Sequence, residues 1–367
     1  MQISKIGEHF DIRGAFRGAA PYGSGHINET FLAEYDEGGR TVRYLHQRLN
    51  RRVFPDPVSV MENIRRVLEH LRRKLAQLGV ARRERRVLEL IPCRDGAGFW
   101  RDEEGEVWRT YQFIEGTRCV DVPESPGQVE QAALAFGGFQ KLLLDLPGSR
   151  LHETIPHFHD TPRRMQALGE AVAADAAGRV VPAKSEIEFA LSRVDLAGAL
   201  ARLRAAGDLA ERVVHNDTKL NNVLLDGSTG EALCVIDLDT VMPGLGPWDF
   251  GDLVRSAANP SAEDERDLSR AKVDPQLFSA ITKGWIESLG SVLAPSERGA
   301  LVTGAKVITL ECGARFLTDH LQGDAYFKIR RPGQNLDRAR VQLSLLRSLE
   351  EREDELERMV ERCGVRP

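Results

Sequence analysis

The chain has 367 residues, 42% hydrophobic and 29% charged, which is enough apolar material for a large core and leaves no segment that composition would make disordered. At roughly 150 residues per domain, the length predicts two domains or one two-lobed domain. The net charge of −5 excludes a bulk electrostatic pull toward nucleic acid or an anionic membrane. Cys93, Cys119, Cys234, Cys312 and Cys363 form no C-x-x-C pair and read as reduced thiols. No apolar run reaches the ~18 residues needed to span a bilayer. The opening "MQISKIGEHFDIRG" carries no apolar run fit for a signal peptide, so the expected location is cytoplasmic.

In chain order, "HINETFLAEYD" and "RTVRYLHQRL", separated by "EGG", predict a β-hairpin. Ile64, Val67, Leu68, Leu71, Leu75 and Leu78 then recur at helical spacing. "RVLELI" and "EVWRTYQFI" predict two more strands, giving the order strand, strand, helix, strand, strand. After "EGT" the character changes. "GQVEQAALAFGGFQKLLLDL" reads as one long helix, and "KSEIEFALSRVDLAGALARLRAAG" as another that ends at Gly207. "NNVLLD" and "ALCVIDLD" are short strands joined by "GSTGE", and the rest is mostly helical. The expected fold class is α+β and bilobal. A small antiparallel sheet lobe with one helix (1–115) precedes a larger, mainly helical lobe (116–367), with a hinge near Ile114–Thr117.

The stretch "VVHNDTKLNNVLLD" places polar residues between two apolar flanks. His215, Asp217 and Asn222 fit H-x-D-x-x-x-x-N, the spacing of a kinase catalytic loop. In phosphoryl transfer a carboxylate must orient the acceptor hydroxyl and take its proton, the role expected of Asp217. An amide five residues on can reach a divalent cation on the nucleotide phosphates; spacing favours Asn222 over Asn221. Asp237, after the apolar run "CVI", is the expected second metal ligand. Asp239 points the same way if strand geometry persists, and would face the sugar or metal side. His215 reads as a brace of the loop. In "YGSGHINETF", Gly23, Ser24 and Gly25 sit where backbone amides can approach phosphates. Gln112 and Ile114 in "YQFIEG" offer hinge groups to adenine.

The pattern resembles the aminoglycoside phosphotransferase and choline kinase superfamily, and within it bacterial N-acetylhexosamine 1-kinases. The resemblance covers nearly the whole chain, through "GSGHINETF", "HQRLNRRVFPDPVSVMENI", "ETIPHFHDTPRR", "HNDTKLNNVLLD", "VIDLDTVMPG", "WDFGDLVRSAAN" and "ECGARFLTDHLQGDAYFK". It implies a protein-kinase-like fold and transfer of phosphate from ATP, with Mg²⁺, to the anomeric hydroxyl of N-acetylglucosamine or N-acetylgalactosamine. By that likeness Asp217 is the base, Asn222 and Asp237 hold metal, Arg315 and Tyr326 contact the sugar, and His26 closes over it. One departure stands out. Protein kinases carry a Lys on the third strand, whereas "TVRYLHQRL" offers Arg43, His46, Gln47 and Arg48, and the phosphate partner stays open. Glu62 is a candidate for the helix acid that would pair with it.

A second reading keeps the fold and changes the acceptor to an aminoglycoside, amino-alcohol or other sugar, with Asp319 and Asp324 as acids for a cationic group. A third is a catalytically dead nucleotide binder, or a nucleic-acid binder through the Arg-rich "IRRVLEHLRRKLAQLGVARRERRVLEL"; the complete Asp217, Asn222 and Asp237 set opposes the first, and the amphipathic pattern makes the second a solvated helix face. "HFHD" reads as a structural loop element. The expected partners are a small sugar and ATP, with no nucleic acid or membrane. The charged tail reads as a surface helix, in a monomer or weak homodimer.

Overall fold

The computed structural model describes residues 3–23 and 27–363. A short helix α1 (Ile3–Gly7) leads into strands β1 (Ala15–Pro21), β2 (Glu29–Glu37) and β3 (Arg40–Arg48). Gly38 and Gly39 close the β2–β3 turn with φ of 66° and 92°, which is the backbone a tight hairpin demands. β1 is an addition to the order read from the sequence. "AFRGAAP" has no alternation because this edge strand is exposed along almost its whole length. Helix α2 (Pro57–Gln77) starts at Asp56, whose side chain accepts from the amides of Val58 (3.1 Å) and Ser59 (3.3 Å). Strands β4 (Leu90–Ile91), β5 (Trp100–Arg101) and β6 (Val107–Gln112) complete an antiparallel sheet in the order β1-β2-β3-β6-β4, with β5 paired to β6.

Alternation along β6 serves two cores. Val107 and Tyr111 pack on Ile64, Leu68 and Leu71 of α2, while Trp108 joins Phe10, Tyr35 and Tyr44 on the opposite face. The remainder is mainly helical: α3 (Pro126–Leu142), α4 (Thr161–Ala174), α5 (Lys184–Leu191), α6 (Val194–Ala197), α7 (Ala199–Ala206), α8 (Gly246–Ala257), α9 (Pro275–Leu289), α10 (Pro295–Gly299), α11 (Leu301–Leu321), α12 (Gln334–Glu351) and α13 (Glu353–Cys363). Strands β7 (Thr117–Arg118), β9 (Val223–Asp226) and β10 (Ala232–Val235) form a three-stranded sheet, and β8 (Arg212–Val214) pairs with β11 (Met242–Gly244). The long helix read over 184–207 is three helices, interrupted before Val194 and at Gly198; its end at Gly207 (φ 84°) stands. The architecture is the expected α+β, protein-kinase-like bilobal one.

Two features hold the site's walls. Helices α8 and α11 cross so closely that a Cβ on Gly251 would lie 2.4 Å from the carbonyl oxygen of Gly304. And α2 is strapped to the helical part: Asn63 Nδ2 donates to the carbonyls of His152 (2.9 Å) and Val241 (3.1 Å), while His152 N donates back to Asn63 Oδ1 (3.0 Å). The Arg-rich stretch contributes to these straps. Arg66 reaches the carbonyl of Ser149, Arg85 the carboxylate of Asp226, and Arg86 the carbonyl of Ala232. Among the described residues, no helix is long and apolar enough to cross a membrane.

Candidate active site

The loop between β8 and β9 is fixed from beneath by Asp249 of α8. Its carboxylate accepts the amides of His215 (2.8 Å) and Asn216 (2.7 Å), with Gln140 Nε2 as a third donor (2.7 Å). His215 is buried against Phe136 and Phe139. Its Nε2 donates to the carbonyl of Ile236 (2.9 Å), and its Nδ1 accepts the amide of Asp217 (3.2 Å). Those two bonds set one neutral tautomer and make His215 a brace. Asn216 holds the left-handed conformation, φ 64°, with its side chain donating to Thr240 O (2.9 Å). Such a residue persists only where its surroundings over-determine it.

Asp217 follows, half-buried. Asn222 Nδ2 donates to its carbonyl (2.9 Å) and to its Oδ2 (3.1 Å), and Lys219 Nζ lies 2.9 Å from its Oδ1. Burial alone would raise the Asp217 pKa; the Lys219 ammonium outweighs it and holds the carboxyl below its ordinary range. Lys219 is a site residue that the H-x-D-x-x-x-x-N spacing leaves unassigned, although it stands inside the motif. Asn221 turns outward to Asp121 (2.8 Å).

Asp237 sits just past β10, at φ 59°, and the amide of the preceding residue, Ile236, donates to the Asn222 carbonyl (2.9 Å), which ties the backbone beside one candidate metal ligand to the other. Burial, then the nearby carboxylates of Asp239 and Asp217, push the Asp237 carboxyl up to about 7. A divalent cation relieves that repulsion, so the donor set fits one. The Asn222 amide spends its nitrogen on Asp217, which leaves its oxygen without a partner among the described residues. No group of three His, Cys, Asp or Glu side chains suited to a metal occurs among them; one acid and one amide match a cation bound mainly through phosphates.

Asp239 departs from expectation. The strand ends at Val235, so the two acids do not share a direction. Asp239 is buried and turned to the sheet, where it binds Arg109 of β6 and accepts from Asn28 Nδ2 (2.6 Å). Arg109 Nε also donates to Gln47 (3.0 Å). Of the candidates on β3, His46 faces the other core, bonded to Thr110 (2.8 Å) and Tyr35 (3.1 Å), and Arg48 pairs with Glu29. Gln47 and Arg109 therefore occupy the inward face. An Arg at the centre of the apolar run "EVWRTYQFI" was the available signal. Glu62 pairs with His152 (2.9 Å), not with the sheet.

Gly23 (φ 85°) ends the first described segment; Ser24, Gly25 and His26 lie outside the described residues. Gln112 closes β6, with its amide bonded to Glu89 O (2.9 Å). Ile114 accepts from Thr117 Oγ1 (2.8 Å), and its N–H has no partner among the described residues. On the other side of the loop, Arg315 of α11 lies over the rings of Phe158 (5.4 Å) and Phe327 (5.5 Å) and makes no ion pair among the described residues. Arg164 of α4 is its neighbour, with a buried Nε that lacks a partner. Tyr326 is exposed beside them, its ring edge-on to Phe327. Asp319 accepts the amides of Tyr326 (2.7 Å) and Phe327 (2.9 Å) and Asn335 Nδ2 (2.8 Å). Asp324 binds Arg179 and Asn335.

A family model described as "Phosphotransferase enzyme family" (APH) matches residues 18–280. Among solved structures, an aminoglycoside phosphotransferase from Alicyclobacillus acidocaldarius superposes with a TM-score of 0.63 at 15% identity, over 99% of this chain and 97% of that one. A choline kinase from Cryptosporidium parvum gives 0.56 at 13% identity, over 96% of each chain. A spectinomycin phosphotransferase, in complex with ADP and spectinomycin, gives 0.54 at 12% identity, over 98% and 97%. With the family model matching most of its length, and with the fold common to those three structures, the chain belongs to the APH phosphotransferase family.

Proposed function

We propose that the protein transfers the γ-phosphoryl group of ATP to the anomeric hydroxyl of an N-acetylhexosamine, giving the sugar 1-phosphate and ADP. Residues 1–115 hold the nucleotide, with Gln112 and Ile114 meeting adenine. Residues 116–367 carry the catalytic and acceptor groups. Asp217 orients the acceptor hydroxyl and takes its proton as the oxygen bonds to phosphorus and the bond to ADP breaks. Asn222 and Asp237 would hold Mg²⁺, which would neutralise phosphate charge. Lys219 keeps Asp217 ionised and in place. Arg315 and Tyr326 meet the sugar.

The observation that carries this reading is the charge on the acceptor side. Asp319 and Asp324 are consumed by internal hydrogen bonds, while Arg164 and Arg315 stand together without a carboxylate bonded to either. A cationic amine would meet two guanidiniums there; a neutral sugar with an acyl carbonyl meets donors. The test is ADP release with Mg²⁺ over N-acetylhexosamines, hexoses, aminoglycosides, choline and ethanolamine, with ³¹P NMR of the product. Turnover of an N-acetylhexosamine with a phosphate at C1 is expected; turnover confined to the amines contradicts the reading.

A further inference from the structure

The two histidines of "HFHD" stand in opposite surroundings. His157 is exposed at φ 56°, while the His159 side chain is only 5% exposed. His159 Nδ1 lies 2.8 Å from Glu311 Oε1, and Nε2 lies 3.1 Å from the carbonyl oxygen of Asn216. With Glu311 ionised, a carboxylate and a carbonyl only accept, so this geometry calls for a proton on each ring nitrogen. Burial alone would favour the neutral ring; the Glu311 carboxylate outweighs it, and the net shift is upward. Glu311 in turn is held below its ordinary range and accepts from Thr161 Oγ1 (2.7 Å) through its other oxygen. The remaining charged groups around the pair are Asp252 of α8, Arg315 of α11 and Arg164 of α4, and Trp248 and Phe158 cover the ring.

We infer that His159 is a positioning residue that, as a buried cation, ties the catalytic loop to the acceptor-side helix. One N–H fixes the carbonyl immediately before Asp217, at the one residue of the loop held in the left-handed conformation. The other fixes Glu311, one helical turn before Arg315. The register between the base and the acceptor contact is thereby set by a single ring. No other residue bridges the two walls in this way among the described hydrogen bonds. The inference rests on the reading of Asp217 as base, and its first two readouts do not depend on activity.

The test uses the full chain labelled with ¹⁵N-histidine. Long-range ¹H–¹⁵N correlation at pH 7 is expected to show both His159 nitrogens at imidazolium shifts, assigned by their loss in His159→Gln. In Glu311→Gln, which removes the carboxylate at constant shape, the ring is expected to return to a neutral pattern. A neutral pattern in the unaltered protein overturns the inference. Amide exchange of residues 213–222 is expected to rise in His159→Gln while the melting transition stays cooperative; unchanged exchange there overturns it. Against an acceptor that turns over, kcat of His159→Gln falls about tenfold or more with KM for ATP within about twofold, an effect of ~1.4 kcal/mol on the barrier. A kcat within about twofold of the unaltered protein also overturns it. Failure of every acceptor would refute the functional reading, while the spectra and exchange would still decide the role of His159.

Discussion

Asp217 is the residue whose environment is built most deliberately, with an amide donor on one carboxylate oxygen, an ammonium on the other, and the backbone behind it fixed by His215 and Asp249. Asp217→Asn keeps the shape and removes the proton acceptor, so turnover should fall roughly 10²–10⁴-fold. ATP binding, measured by calorimetry, should be unchanged. His46 makes a separate prediction about acid. Burial lowers its pKa from 6.5 to about 4, and the neutral ring is bonded to Tyr35 and Thr110. The folded state therefore binds fewer protons than the unfolded one between those values. Stability is full above pH 6.5 and lost as pH falls through the window to 4, by at most about 3 kcal/mol. Denaturant midpoints at pH 7, 5.5 and 4.5 should show the loss, and His46→Gln should be less stable at pH 7 but flatter across the same range.

At the scale of elements, the site is held by the α2 straps and by the close crossing of α8 and α11. Asn63→Ala removes three hydrogen bonds between α2 and the helical part and strands two carbonyls, at a cost of about 2–3 kcal/mol in denaturant unfolding. Gly251→Ala is informative because its sign reverses the usual one. An Ala in a helix interior normally gains up to about 1 kcal/mol over Gly. Here the added Cβ meets backbone of α11, so a loss of about 1–3 kcal/mol is expected, with reduced activity as α8 and α11 separate. Which elements were legible follows from the same physics. The β2–β3 hairpin, α2 and α3 carry their own period and turn residues, so local sequence suffices. β1 is exposed along its length and has no period to read, and the 184–207 segment keeps helical composition through breaks at Arg193 and Gly198 that only its packing reveals. Asp217 and Asn222 stand five residues apart inside one motif, and Asp237 follows the next apolar strand, so local sequence was enough to propose them as a set. Arg109, His159 and Asp249 act through partners 130, 57 and 33 residues away, a distance no motif spans.

At the scale of the whole molecule a buried charge network adds to the straps between the two parts: Arg109 holds Asp239, while Asn28 and Gln47 complete the polar shell. Arg109→Met leaves Asp239 buried without its cation and should cost about 3–5 kcal/mol, whereas Arg109→Met with Asp239→Leu should recover much of that loss. Denaturant unfolding of the single and double variants checks it. The proposed chemistry depends on Asp237 and Asn222, which the Ile236 amide, donating to the Asn222 carbonyl, brings to the same end of the paired strands β9 and β10. The most direct measurement is a Mn²⁺ titration in the presence of ATP, followed by water-proton relaxation, on the unaltered protein, Asp217→Asn and Asp237→Asn. The first two are expected to bind the metal–nucleotide complex equally within about twofold, and Asp237→Asn about tenfold or more weakly, ~1.4 kcal/mol. Equal binding by Asp237→Asn would contradict a phosphoryl-transfer centre assembled from these residues.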